Sequence, residues 1–170
     1  MFELVDDPET DDPFRVYLEI EVGGKSDDKL LADLPLDIYF VQQVVREHFA
    51  SQKRMSEICE RDTVKIGCTE VQDFGFKDIP PAYADVWTRI RSLGHSLCRP
   101  SDALILRRAL VQPVGDYLIV AMDEIICPGG ISHIYALEQC YEYAPCLKVL
   151  LVRPNYKINL RTKILYRLRK

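Results

Sequence analysis

Residues 116–125, which read DYLIVAMDEI, form the most strand-like stretch of the chain. Aromatic, β-branched and aliphatic side chains fill this stretch, as is typical of a strand. A turn-like tetrad, QPVG at residues 112–115, precedes it, and a second turn signal, CPGG at residues 127–130, follows it. The back half of the chain, from about Ile105 onward, is therefore predicted to be a succession of strands joined by short turns.

Four further segments of the back half have the composition of strands. They are residues 105–111, 132–139, 147–153 and 163–169. With residues 116–125 they predict five antiparallel strands, arranged as a meander or a small barrel.

The front half combines strands with helices. Apolar and polar residues alternate over 16–22, which predicts a half-exposed strand. Ser26 is a good N-cap for a short helix that ends before Pro35. Further helices are predicted from apolar periodicity over residues 38–49 and 82–93, a further strand over residues 64–68, and a short helical turn at residues 100–102.

This order of elements predicts an α+β protein. We expect an acidic flexible tail at residues 1–13 and a strand–helix–helix subdomain at residues 14–62. A C-terminal α+β subdomain, residues 63–170, would hold a strand, a helix and the antiparallel sheet.

We predict a folded cytoplasmic protein that uses no cofactor, because the N-terminus is acidic and lacks the positive-then-apolar order of a secretion signal, and no cofactor motif is apparent. Of the 170 residues, 48% are hydrophobic and 28% are charged, which is ordinary for a globular chain. No apolar run approaches the roughly 20 residues that a membrane-spanning helix needs. The six cysteines include no C-x-x-C pair, so we expect them to be reduced and structural.

Part of the chain resembles an uncharacterised bacterial family, seen mostly in metagenomic and candidate-phylum genomes. The resemblance lies in LGHSLCRP at residues 93–100, LR at 106–107, QPVGDYL at 112–118 and AM at 121–122. Arg99 departs from the family pattern because it separates the cysteine from the proline. The family has no known activity, so the resemblance implies only a fold and a bacterial origin.

A zinc site is the sharpest chemical hypothesis. Cys127, His133, Cys140 and Cys146 offer sulfur and imidazole ligands within one short region. Their spacing lacks the close ligand pairs of a zinc knuckle or ribbon. The alternative interpretation is a set of strand-interior cysteines with a surface histidine, and we predict no metal site.

A thiol enzyme is the second chemical hypothesis. Cys98 follows His95 by three residues, a spacing that shares a face on a helix. Gly94 indicates that the helix has already ended, and a third catalytic group is not apparent. His48 lies on an apolar helix face and is predicted to be a packed core residue.

Two other patterns are weaker. GGKS at residues 23–26 resembles the end of a phosphate-binding loop, but the first glycine of that motif is absent, so we interpret it as a helix cap. Asp123 and Glu124 are predicted to alternate across a strand and to point to opposite faces, which prevents them from sharing one substrate or metal.

The two ends of the chain carry opposite charges, although the formal net charge is only −4. Six acids and no base precede Arg15, whereas no acid follows Glu142. The cations of the last predicted strand are Lys163, Arg167 and Arg169, followed by Lys170. Such asymmetry indicates partners rather than chemistry.

We therefore predict a non-enzymatic interaction or accessory protein with a protein partner. Its contact surface would be the basic C-terminal hairpin, with Lys163, Arg167, Arg169 and Lys170 as contact residues. The interleaved Tyr143, Tyr156 and Tyr166 favour nucleic acid as an alternative partner. A simpler explanation is that these cations protect an exposed edge strand from aggregation, or pair with the acidic N-terminus.

Overall fold

The computed structural model describes residues 13–34, 40–51, 60–126, 130–139 and 144–169. Within them the chain forms an α+β fold around one mostly antiparallel sheet, which confirms the predicted class. The sheet is open, so of the two predicted arrangements the barrel is not formed. In spatial order its strands are β1, β3, β8, β4, β6, β7 and β2, with the short β5 paired to β6.

The strands and helices have the following bounds. The strands are β1 (Val16–Val22), β2 (Phe40–Val41), β3 (Asp62–Glu70), β4 (Tyr117–Val120), β5 (Ile125–Ile126), β6 (Ser132–Gln139), β7 (Pro145–Val152) and β8 (Lys163–Arg167). The helices are α1 (Asp27–Ala32), α2 (Gln43–Ser51), α3 (Tyr83–Ser92) and α4 (Pro100–Ala109), and a 3₁₀ turn spans Val71–Phe74.

Strand β8 lies in the middle of the sheet, although the sequence suggested an edge strand. It is antiparallel to β3 and parallel to β4. The three consecutive residues Ile164, Leu165 and Tyr166 are all buried, as expected for a strand that is covered on both faces. Four of the five predicted strands are present, and the parallel pairing of β8 with β4 means that they do not form a simple meander.

Helix α4 occupies the segment that was predicted to begin the strand series. Residues 105–109 continue a ten-residue helix that starts with Pro100 at its first turn. The Asp102 carboxylate accepts a hydrogen bond from the Arg99 backbone N–H, which stabilises the helix start. Leu, Arg and Ala are strong helix formers, so this segment is helical despite its strand-like apolar run.

The other helices agree with the sequence in type but differ at their ends. Ser26 caps α1 as predicted, since its hydroxyl accepts from the Lys29 backbone N–H. Helix α3 buries Val86, Trp87 and Ile90, which are three residues of the predicted apolar stripe. The second helix begins only at Gln43, because Val41 pairs with Leu147 of β7.

Helices pack on both faces of the sheet. Successive residues of β8 point to opposite faces. The Arg167 side chain contacts Asp102 of α4, whereas the Tyr166 ring packs 5.5 Å from the ring of Phe74 in the 3₁₀ turn. Helix α4 also contacts α1, and α3 contacts the 3₁₀ turn. Thus α1 and α4 lie on one face, and the 3₁₀ turn with α3 lies on the other.

The N-terminal elements extend the same sheet. Strand β1 is antiparallel to β3, and β2 is parallel to β7. The predicted division at residues 62 and 63 falls at the start of β3, and the division into two subdomains stays a prediction. Most of the predicted tail, residues 1–12, lies outside the described residues.

Gly67 of β3 is required by the packing of its neighbour on β8. A Cβ at this position would lie 2.6 Å from Cζ of Tyr166, a distance that side chains do not adopt. The Tyr166 ring is fully buried and cannot move aside without disturbing the core.

We expect Gly67→Ala to lower the free energy of unfolding by about 1–3 kcal/mol, the usual cost of overpacking a core. Urea denaturation followed by circular dichroism would measure it. In a Tyr166→Leu background the same substitution should cost less, because the colliding ring is gone. An equal cost in both backgrounds would contradict the steric explanation.

Candidate functional site

Arg167, a predicted partner-contact residue, is engaged inside the protein. Its Nε and Nη2 atoms each lie 2.7 Å from a carboxylate oxygen of Asp102, in a bidentate ion pair. The Asp102 side chain is only 1% exposed and that of Arg167 16%. Burial of the guanidinium opposes ionisation, but the hydrogen bonds and charge of Asp102 raise the pKa of Arg167. This side chain holds α4 on the sheet.

The other predicted contact residues are placed differently. Lys163 is exposed, but its Nζ lies 3.2 Å from Oδ1 of Asp116. Arg169 is exposed beyond the end of β8, and its backbone N–H donates to Nδ1 of His95 at 3.3 Å. Lys170 lies outside the described residues. The three contact residues that the structure describes therefore do not form one row of outward-facing cations.

A different group of cations does lie together. Residues 153–162, here called the basic loop, connect β7 to β8 and carry Arg153, Lys157 and Arg161, all exposed. These three side chains have no ion-pair partner within 4 Å among the described residues. These three residues belong to the acid-free end of the sequence after Glu142, but they are not among the four predicted contact residues.

The basic loop is held by backbone hydrogen bonds to the segment before α3. Tyr156 O accepts from the Tyr83 N–H at 3.0 Å, and the Ile158 N–H donates to Pro81 O at 3.0 Å. Ile158, in the middle of the loop, has a buried side chain. The exposed cations therefore project from an ordered backbone rather than from a loose chain, which lowers the entropy cost of binding.

Tyrosines and an open groove adjoin the basic loop. The groove has a volume of about 300 Å³ and is lined by Asp116, Tyr117, Asn159, Arg161, Thr162 and Lys163. Lys148 lies over the Tyr117 ring, 5.2 Å from its centre. Burial, followed by the proximity of Tyr156 and Glu138, raises the pKa of Tyr117 to about 12. Tyr117 is therefore a neutral phenol at physiological pH.

The interleaved tyrosines of the nucleic-acid hypothesis have separate positions. Tyr166 is fully buried in the sheet, and Tyr143 lies outside the described residues. Of the two that the structure describes, Tyr156 adjoins the basic loop cations, and it is half-buried. Tyr117 lies beside the basic loop because β4 pairs with β8. This pairing joins distant parts of the chain, so no local sequence pattern predicts the position of Tyr117.

Cys98 does not have the surroundings of a nucleophile. Its thiol is buried and donates to the carbonyl oxygen of Leu165 at 3.9 Å. Burial, aided by the charge of Asp102 and opposed by that of Arg167, raises the pKa of Cys98 well above its usual value. The ring of His95 packs against Phe14 and Tyr166. The pair proposed for a thiol enzyme is thus a buried thiol and a packed imidazole.

The proposed zinc ligands are only partly described. Cys127 and Cys140 lie outside the described residues. His133 is fully buried on β6, which differs from the predicted surface position, and the Cys146 thiol donates to Ala144 O at 3.2 Å. Among the described residues no group of three His, Cys, Asp or Glu side chains could hold a metal ion.

The weaker patterns have structural roles. Asp123 and Glu124 lie between β4 and β5 rather than within a strand. Asp123 forms an exposed ion pair with Arg91, and Glu124 accepts from the Tyr83 hydroxyl at 3.0 Å. In GGKS, both glycines have positive φ and the serine caps α1.

His48 and Arg107 have partners that the sequence does not show. His48, predicted as a core residue, is half-buried and its Nδ1 is hydrogen-bonded to the Tyr135 hydroxyl. Arg107 is fully buried on α4; it donates to Leu110 O, Cys146 O and the Gln112 side chain. These bonds join the end of α4 to β7 and the segment before β4.

Comparison with protein-family models, with the curated proteins and with the solved structures finds no match for this chain. The resemblance to a bacterial family therefore stays an expectation. None of the described helices is long and apolar enough to cross a membrane.

We expect Asp102→Asn to destabilise the fold by about 3 kcal/mol, because it leaves the largely buried Arg167 cation without its counter-charge. Urea denaturation would measure the loss. The matched control is Asp123→Asn, which breaks an exposed ion pair and should cost below about 1 kcal/mol. Equal losses for the two variants would contradict the role assigned to Asp102.

We expect Cys98 to resist alkylation in the folded protein at pH 7 and to react readily after unfolding in urea. Its raised pKa keeps the thiol protonated, and only the thiolate is nucleophilic. Iodoacetamide labelling followed by peptide mass spectrometry would quantify each cysteine. Rapid labelling of Cys98 in the native protein would instead support the thiol-enzyme hypothesis.

Proposed function

We propose that this protein is a non-enzymatic interaction protein that binds an acidic protein partner through the basic loop. The observation that carries the proposal is the group of three exposed cations, Arg153, Lys157 and Arg161, without ion-pair partners among the described residues. The proposal differs from the sequence-based hypothesis in its residues, because Arg167 is engaged with Asp102.

The charge around the loop supports an acidic partner. Between residues 144 and 169 the chain has seven cations and no acid. Three of these cations are paired with Glu138, Asp116 and Asp102 from other parts of the chain. The remaining four are Arg153, Lys157 and Arg161 on the loop, and Arg169 beyond the opposite end of β8. A surface on which cations outnumber their local counter-charges attracts an acidic surface and speeds its association.

The order of the loop supports a protein partner in particular. The backbone bonds of Tyr156 and Ile158 fix the spacing of the cations, which suits a partner with fixed carboxylates. Nucleic acid is the second candidate, favoured by the cations next to Tyr117 and Tyr156. Both tyrosines are half-buried, which limits the ring surface on which a base could stack.

The proposal is tested with a triple variant, Arg153→Gln, Lys157→Gln and Arg161→Gln. Its matched control, Lys65→Gln, Lys77→Gln and Arg91→Gln, removes the same charge from other exposed positions. Binding would be measured by fluorescence anisotropy with a labelled polyglutamate peptide and with a 20-nucleotide single-stranded DNA, at low and physiological salt.

We expect the peptide to bind the wild type and the control alike, and the triple variant at least about 10-fold more weakly, with the difference shrinking as salt is added. A pull-down with and without nuclease would show whether the cellular partner has the same dependence. Preferential binding of the DNA, with a steep salt dependence, would favour the nucleic-acid candidate instead. Equal binding by all three proteins would contradict both.

A further inference from the structure

A cavity of about 340 Å³ lies between β1, α1 and α4. This volume is at the lower end of the range for small-molecule sites. Its apolar wall is formed by Ile20, Leu30, Leu104, Ile105 and Ala109, and its polar rim by Glu21, Gly23, Lys25, Asp33, Arg61 and Arg108. An apolar wall with a few convergent polar groups is the usual composition of a ligand site.

Two of the rim cations are held by one acid. The Asp33 carboxylate lies 2.6 Å from Nζ of Lys25 and 3.0 Å from Nη1 of Arg108. Hydrogen bonding by Lys25, with the charges of neighbouring cations, lowers the pKa of Asp33. Since one carboxylate stands between two cations, their positive charge is only partly compensated, and both side chains are fixed at the rim.

Arg61 is placed at the rim by a glycine. Gly24 has φ +69°, and a Cβ there would lie 2.7 Å from Nε of Arg61 and 2.8 Å from its Cγ. The Arg61 side chain therefore occupies the space that any other residue at position 24 would need. Arg61 is exposed, and no acid lies within ion-pair distance of it among the described residues. Its guanidinium is available to a ligand.

We propose that this cavity binds a small amphipathic anion, a carboxylate or phosphate monoester that carries an apolar chain. The apolar chain would lie against Leu104 and Ile105. The anionic head would lie at the rim between Arg61 and the Lys25–Asp33–Arg108 group. The five charged groups at the rim have a net charge of +1, because Lys25, Arg61 and Arg108 face Glu21 and Asp33.

The cavity is separate from the basic loop. It lies on the α1 and α4 face of the sheet, whereas the loop is bonded to the segment that begins α3. The site therefore goes beyond the proposed function, and each can fail without the other.

The test uses octanoate and octyl phosphate as probes, with octanol and octylamine of equal chain length for comparison. Titration of ¹⁵N-labelled protein, followed by two-dimensional NMR, would give affinities and map the shifted amides. We expect both anions to shift the amides of Gly23, Gly24, Leu104 and Ile105 and to bind at least about 10-fold more tightly than octanol. The anion that binds more tightly shows whether the site prefers a carboxylate or a phosphate head group.

Two variants separate the parts of the site. Arg61→Gln should lower the affinity for both anions about 10-fold and leave the affinity for octanol unchanged, because only the charged contact is lost. Ala109→Phe should weaken the binding of all four probes, because the larger side chain fills the cavity from the α4 side. The control Arg91→Gln, on α3, should bind like the wild type.

Three results would overturn the proposal. They are tighter binding of octylamine than of the anions, shifts confined to residues outside the cavity lining, and equal affinities of Arg61→Gln and the wild type for both anions. A two-dimensional spectrum with native dispersion for each variant shows that the loss is not due to unfolding.

Discussion

The bidentate ion pair between Asp102 and Arg167 is the contact on which the arrangement of this fold depends. It joins the first turn of α4 to the end of β8, the strand in the middle of the sheet. Asp102 also accepts from the Arg99 N–H, so one carboxylate caps the helix and fixes it to the sheet. Two largely buried charges are costly to desolvate, and ideal geometry offsets that cost. Small shifts of α4 along β8 would break the pair, so it specifies the position of the helix.

Three ion pairs, of which this is one, explain why the basic end of the chain is not a uniform basic surface. Three of its cations form ion pairs with acids from earlier parts of the chain. The pairs are Lys148 with Glu138, Lys163 with Asp116 and Arg167 with Asp102. The first pair accompanies the pairing of β6 with β7 and the second that of β4 with β8, whereas the third joins α4 to β8. Cations of the strands thus stabilise the sheet, whereas those of the connecting loop remain at the surface. Position in the fold, rather than charge density in the sequence, decides which cations can bind a partner.

Local signals predicted much of the fold, and non-local ones did not. Alternation identified β1 and β3, and Ser26 identified the start of α1, because these features depend on neighbours in the chain. The apolar segment 105–109 fits both a buried strand and a buried helix, and the Asp102 cap decides in favour of the helix. The central place of β8 and its parallel pairing with β4 depend on which strands meet in space, which no local pattern encodes. For the same reason the sequence placed Arg167 at the surface and missed the cavity, whose walls come from β1, α1, α4 and Arg61.

Both proposed surfaces are built on one sheet. Helix α4 lines the cavity and is paired through Asp102 with β8, the strand that follows the basic loop. Leu104 and Ile105 line the cavity one turn or less after Asp102, whose partner Arg167 lies on β8. β8 continues directly from the basic loop through Lys163. A ligand that displaces α4 would have to strain or break the buried pair, at a cost of several kcal/mol. The pair therefore favours a cavity of fixed shape. The two surfaces have separate supports, since α4 lines the cavity whereas the basic loop is hydrogen-bonded to Pro81 and Tyr83.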